Sequence, residues 1–151
     1  MTESSIELHF VSDPENLAPV RACVERFAGN AGFDEEKRAQ IALAVDEAIA
    51  NSIRHGYRGR RDGPITLRLV ALPTGGVRIE LDDEGEQVDI ERVEPRDLCD
   101  VRPGGLGLHI IRSTFDHCDW RRRPERGMSV VLELPLPGAK LAHALRRPRS
   151  R

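Results

Sequence analysis

The chain is poor in the features that announce several large classes of protein. It has three cysteines, Cys23, Cys99 and Cys118, an odd number at wide spacings with neither a CxxC pair nor a His pair close by. A disulfide scaffold and a zinc site are both disfavoured, and the thiols read as reduced, structural residues of a cytoplasmic protein. No apolar run approaches the roughly 18 residues of a membrane-spanning helix. Met1-Thr2-Glu3-Ser4-Ser5 has no basic stretch leading into an apolar one, so no secretory signal is expected. There is no excess charge of either sign. The chain has 23 basic and 25 acidic residues, a net charge of −2, whereas a dedicated nucleic-acid binder carries a basic surplus. The arginines at 121–123 and 126 have Trp120 as their only aromatic neighbour, which suits a solvated strand or an acidic partner better than a nucleic acid. Internal repeats are missing as well.

What remains is an ordinary globular composition. At 151 residues, 39% hydrophobic and 32% charged, the chain fits one domain able to bury a core unaided. Ile6, Leu8 and Phe10 alternate with Glu7, His9 and Val11, the pattern of a strand with one buried face. Leu17, Val20, Val24, Phe27 and Ala28 recur at helical spacing, with Pro19 tolerable only in the first turn, so a helix runs from about Asn16 to Ala28. Asp34 is a suitable N-cap for a longer helix reaching Ile53 or Arg54 and closed by Gly56. Strands are expected over Ile65–Leu72 and Val77–Leu81, joined at Pro73-Thr74-Gly75-Gly76. Residues 84–104 read as a long loop of the kind that often forms a lid. A third helix follows at Leu106–Phe115, then strands at Cys118–Arg122 and Ser129–Leu136 around a Pro124–Gly127 turn. The order β-α-α-β-β-α-β-β predicts an α+β protein: a two-layer sandwich of a mostly antiparallel sheet with helices on one face. Residues 1–140 form the domain, and the basic tail over 141–151 has nothing to pack against and is expected to fray.

Three segments carry chemical promise. On the second helix, with about 100° per residue from Glu47, Asn51 falls near 40°, His55 near 80° and Arg54 near −20°. Ile41, Val45, Ala48 and Ile49 make the core stripe beside this ridge.

 Glu47 and Asn51 can therefore point together into a cleft, where a carboxylate accepts a proton and an amide oxygen ligates a hard cation. The same spacing also describes the solvated polar side of an amphipathic helix. Asp82-Asp83-Glu84-Gly85 leaves a strand with an acid just before a glycine, able to accept from an exocyclic amine while the backbone approaches a flat ring. A plain acidic turn has the same composition. Pro103-Gly104-Gly105-Leu106-Gly107-Leu108 runs directly into a helix, where backbone N–H groups and the helix dipole favour an anion such as phosphate. It is neither a Walker A loop nor a Rossmann fingerprint, and a flexible turn is the alternative.

Taken in order, these segments resemble a known family. Asp46-Glu47-Ala48-Ile49-Ala50-Asn51-Ser52-Ile53-Arg54-His55-Gly56-Tyr57 resembles the N box of the GHKL ATPases, the group of gyrase, MutL and the histidine kinases. Asp83-Glu84-Gly85 is similar to the start of the G1 box, and Gly105-Leu106-Gly107-Leu108 to the G2 box. The His55-Gly56-Tyr57 ending, the short lid and the chain length bring the resemblance to the anti-sigma-factor serine kinases of the RsbW and SpoIIAB type, over about residues 6 to 136. It implies the Bergerat, or histidine-kinase-like ATPase, fold, with ATP and Mg²⁺ as cofactors. By motif position, Glu47 would be the general base and Asn51 the Mg²⁺ ligand. His55 and Gly56 would line the nucleotide pocket, Asp83 would accept from the adenine amine, and Gly85 would give the ring room. Gly104, Gly105, Leu106, Gly107 and Leu108 would hold the phosphates, with Arg102 as a further phosphate contact and Ser129 as the hydroxyl of the last box. Two positions depart from the family pattern: Gln87 replaces the second G1 glycine, and Gly127-Met128-Ser129 replaces the usual Gly-Thr.

The resemblance implies a cytoplasmic, ATP-dependent serine-protein kinase that is also an anti-sigma factor. Its expected partners are a sigma factor and a STAS-domain anti-anti-sigma factor carrying the phosphoacceptor serine. A homodimer is expected, and neither nucleic acid nor membrane is an expected partner. The alternative is a non-catalytic ATP-binding regulator that works by partner switching alone.

Overall fold

The computed structural model describes residues 3–89 and 105–139. Strand β1 (Ser5–Val11) leads through a short helical turn at Pro14–Asn16 into α1 (Leu17–Asn30), followed by α2 (Glu35–Asn51). Next come β2 (Pro64–Ala71), β3 (Gly76–Asp83), α3 (Gly105–Thr114), β4 (His117–Arg122) and β5 (Met128–Pro135). The five strands form one antiparallel sheet in the order β1-β2-β3-β5-β4. This is the α+β arrangement that the element order predicts.

Strand alternation divides the sheet into two unlike faces. Ile65, Leu67 and Leu69 of β2, Val77, Ile79 and Leu81 of β3, and Val130, Leu132 and Leu134 of β5 are buried in one core. Val20, Val24 and Phe27 of α1, Ile41, Val45 and Ile49 of α2, and Ile111 of α3 complete it from the helical layer. Burial of each such side chain contributes about 1.5–3 kcal/mol. The opposite face is charged. Glu7, Arg68, Glu80, Arg78 and Glu133 form a ladder across four strands, with successive gaps of 3.6, 3.7, 3.8 and 2.7 Å. Ionic groups of alternating sign replace a second helical layer there.

Helix α2 begins as the sequence predicts, with Asp34 Oδ1 accepting from Lys37 N at 2.8 Å. Its far end differs. The regular helix stops at Asn51, and Ser52–Gly56 form a π-helical turn in which Tyr57 N donates to Ser52 O at 2.9 Å. Such wide turns interrupt α-helices frequently at functional sites. Strand β1 also differs in degree: it is an edge strand, its Leu8 and Phe10 are only half-buried, and Ile6 is 45% exposed. A strand paired on one side only has fewer neighbours to cover its apolar face.

Helices α1 and α2 are joined by an ion pair between Arg21 and Asp46 Oδ2. Asp46 is buried, and its Oδ1 has no hydrogen-bond partner among the described residues. Desolvation raises the Asp46 carboxyl above its ordinary pKa of 3.8, a shift that the Arg21 hydrogen bond and charge oppose and the Glu25 charge assists. Cys118 is half-buried and pushed up to about 11 by burial, consistent with a structural thiol, whereas Cys23 is exposed on α1 and is not the structural thiol expected, because it falls off that helix's apolar stripe. No helix among the described residues is long and apolar enough to cross a membrane.

Candidate functional site

Helix α2 carries Glu47 and Asn51 on one ridge, both half-buried, while Ala48 and Ile49 beside them enter the core. The ridge faces the first turn of α3. A Cβ added at Gly107 would lie 2.6 Å from Glu47 Oε2, so a side chain at this position would push the Glu47 carboxylate out of its place against α3. The Glu47 carboxylate thus borders the N-terminal turn of a ten-residue helix, an end whose N–H groups and dipole attract an anion. Leu106 is 69% exposed and Leu108 half-buried on the same turn. Arg54 joins the ridge from the π-helical turn, with Nη2 3.2 Å from Asn51 Oδ1 and 3.8 Å from Glu47 Oε2.

The other end of the site is built from backbone. Asp83 ends β3 at 3% exposure, and its Oδ1 accepts from Gly85 N at 3.0 Å and Met128 N at 3.1 Å. Those two bonds fix the carboxylate and leave Oδ2 beside Gly56, where an added Cβ would lie 3.5 Å from it. Two glycines make the packing possible. A Cβ on Gly85 would fall 2.4 Å from the Gly56 carbonyl carbon, and one on Gly127 only 2.0 Å from Asp83 O. Gly127 also has φ +82, a conformation that side-chain-bearing residues rarely adopt. Glu86 N donates to Gly56 O at 2.7 Å and Gly127 N to Gly85 O at 2.8 Å, stitching the three segments together. Tyr57 locks this corner: its hydroxyl donates to Pro64 O and accepts from Glu84 N at 2.7 Å. Burial raises the Tyr57 phenol above its ordinary value, and the Glu84 bond partly opposes this.

The structure therefore brings together Glu47, Asn51 and Gly107 at one end and Gly56, Asp83 and Gly85 at the other. His55 is exposed, on the π-helical turn. Ser129 is not brought to the site. It pairs opposite Asp82 and alternates with the buried Met128 and Val130, so its side chain belongs to the charged face of the sheet. The last box contributes through the main chain instead, with Met128 N on Asp83. Gly105 opens α3, whereas Arg102 and Gly104 lie outside the described residues, as do Cys99 and the tail over 141–151. The motifs name but assign no site role to Arg54, Gly127 and Arg123, whose Nη1 donates to Asp83 O at 2.7 Å. Gly127, in an expected turn, was the one with a visible signal.

The donor set fits a magnesium-bound adenine nucleotide. Asp83 Oδ2 is an acceptor of fixed orientation beside a wall of glycines, as an exocyclic amine requires. Asn51 offers an amide oxygen, and no group of three or more His, Cys, Asp or Glu converges among the described residues. A Mg²⁺ ion would be held by Asn51 together with phosphate oxygens and water, its usual mode of binding in phosphate chemistry. A surface cavity of about 530 Å³ adjoins the Asp83 end and is lined by Gly56, Gly85, Tyr57, Arg58, Glu86 and Gln87 among others. Glu47, Asn51, Asp83 and Gly107 do not line it.

A two-layer sandwich with an acid and an amide on the central helix, facing a glycine-led helix, defines an ATPase-type domain. Residues 10–134 match the model of the histidine kinase-like ATPase domain, and the chain belongs to that family. It is 31% identical to the serine-protein kinase RsbW of Listeria monocytogenes, over 84% of each chain. It is 32% identical to the anti-sigma F factor of Clostridium botulinum, over 88% of this chain and 95% of that one. Among solved structures, the RsbU and RsbW domains of a Mycobacterium tuberculosis protein share the fold with a TM-score of 0.64 at 18% identity. The match covers 87% of this chain and spans about a third, 32%, of that larger one.

Proposed function

We propose that this chain is a serine-protein kinase and anti-sigma factor: it holds a sigma factor and phosphorylates a serine on a STAS-domain anti-anti-sigma partner, using ATP and Mg²⁺. The observation that carries the reading is the approach of the Glu47 carboxylate to the Gly107 backbone, which puts a base beside an anion-binding helix start. The names of the relatives in Listeria and Clostridium support it. Mg-ATP supplies an activated phosphoryl group. Asp83 accepts from the adenine amine, and Gly56 and Gly85 let the ring approach. Asn51 ligates the metal, and the first turn of α3 receives phosphate oxygens on its backbone N–H groups. Glu47 takes the proton from the attacking serine hydroxyl. Such a transfer asks mainly for positioning and charge neutralisation. The added phosphate gives the partner roughly −1.5 to −2 charges and would release it, freeing the kinase for the sigma factor. The domain spans residues 1–140, acts in the cytoplasm and works as a homodimer.

The test is direct. With Mg-ATP and a cognate STAS-domain protein, the purified protein transfers phosphate to serine, and Glu47→Ala abolishes transfer while ATP still binds. Unaltered transfer by that variant would remove Glu47 from the mechanism. The non-catalytic reading draws on Gln87, which stands in the G1 loop with its side-chain amide donating to Arg123 O. A STAS partner whose mass is unchanged after incubation with Mg-ATP would favour that reading.

A further inference from the structure

The Asp83 carboxylate depends on more than the two amides that bond to it. The β3–β5 ladder closes at the pair Asp82 and Ser129. The next two amides, at the start of β5 and just before it, are diverted: Met128 N goes to Asp83 Oδ1 and Gly127 N to Gly85 O. The Asp83 carbonyl takes its donor from a side chain instead, Arg123 Nη1 at 2.7 Å. The same peptide unit is gripped at its other end, where Glu84 N donates to the Tyr57 hydroxyl at 2.7 Å. Rotation of that planar unit is opposed at both its oxygen and its nitrogen. The next amide along, Gly85 N, is one of the two donors that aim the carboxylate. Arg123 is itself held. Its N donates to Gly127 O at 3.0 Å, and its O accepts from the side-chain amide of Gln87. Gln87 stands where the family pattern has a glycine, so a hydrogen-bonding side chain replaces a freely turning residue. The bonds run from Asp83 along 84–87, across to Arg123 and back to the Asp83 carbonyl, closing a ring. A turn tied down only for stability could be fastened anywhere along 84–89. This one is fastened at the peptide next to the buried carboxylate that reads the adenine amine.

We propose that Arg123 is a positioning residue for nucleobase selectivity: with Tyr57 it locks the Asp83–Glu84 peptide and so aims the Asp83 carboxylate, and Gln87 holds Arg123 in place. The inference rests on the reading of Asp83 as the acceptor for the adenine amine. It is tested by calorimetric titration of the full chain with Mg-ATP and with Mg-GTP, taking the ratio of the two dissociation constants. In Arg123→Ala the carboxylate loses its fixed aim, while the groups at the Glu47 end keep theirs. ATP binding weakens by about tenfold, the scale of one charge-assisted hydrogen bond, and GTP binding by much less, so the preference for ATP shrinks. Arg123→Lys keeps a cationic donor and restores most of the preference. Gln87→Ala moves the ratio in the same direction by a smaller step. Arg121→Ala removes an exposed arginine paired with Asp119 and leaves the ratio unchanged. Weakening of ATP and GTP by one common factor in Arg123→Ala marks a merely structural role and overturns the inference, as does an unchanged ratio. A Gln87→Ala protein with an unaltered ratio also overturns it, whether or not Arg123→Ala folds. Absence of any preference for ATP over GTP in the unaltered protein removes the adenine reading of Asp83, and this inference with it.

Discussion

The two ends of the site are built differently. At the Asp83 end a 3%-exposed carboxylate is held by two backbone amides, among glycines that admit no side chain. At the Glu47 end the acid and amide are half-buried, and a half-exposed arginine lies across them. A group whose task is to recognise one fixed edge gains from having its orientation set in advance by the main chain. Groups that must accept a metal, a phosphate and a proton in succession gain from side chains that can exchange partners. The first end is expected to govern selectivity and the second to govern turnover.

Substitutions at each end sharpen that division. The largest effect is expected from Glu47→Gln, which keeps the shape but cannot take a proton. The rate of phosphotransfer should drop by about 10²–10⁴, the usual worth of a general base, with ATP affinity nearly unchanged. Asp83→Asn comes next. Its oxygen can keep the bonds from Gly85 and Met128, but an amine then replaces Oδ2 and opposes the adenine amine. ATP affinity should fall by about 10- to 100-fold, with little preference left for ATP over GTP in thermal-shift titrations. If turnover drops and the preference survives, the two ends are not divided as described. Tyr57→Phe leaves Glu84 N and Pro64 O without their hydroxyl, costing about 1–3 kcal/mol in denaturant unfolding. Its ATP affinity should fall more than its rate at saturation, because the shift reaches Asp83 and not Glu47.

The smallest effect lies outside both ends and is read as a sign. Asp46 has a folded-state pKa above its ordinary value, so the folded protein holds that proton more tightly than the unfolded chain. Its contribution to stability is fully present below about 3.8 and is lost as pH rises through the raised value. Asn at this position does not titrate. Between pH 4 and pH 7 the unfolding free energy of the unaltered protein should therefore fall relative to Asp46→Asn, and a relative rise would contradict the desolvation argument.

Much of this was legible in the residues because the relevant signals are periodic or capped. Asp34 caps α2, the alternation in Ile65–Leu69 and Val77–Leu81 gives the inner face of the sheet, and the helical spacing of Glu47 and Asn51 puts them on one ridge. The π-helical turn was not legible, since Ile53 and Arg54 continue an ordinary helical pattern and only the hydrogen bond from Tyr57 to Ser52 reveals the change of pitch. The fixing of Asp83 was hidden for another reason: amides of Gly85 and Met128 do that work, and a backbone donor leaves no mark on residue type. Ser129 shows the converse, a plausible hydroxyl that strand alternation turns to the other side.

The charged face of the sheet offers a practical handle. Arg121 sits on β4 in register with Ser129, its side chain 75% exposed on the side remote from Asp83. Once the exposed Cys23 is replaced, a cysteine placed there can carry a dye or a surface tether without crowding the nucleotide, so binding of each protein partner can be followed optically.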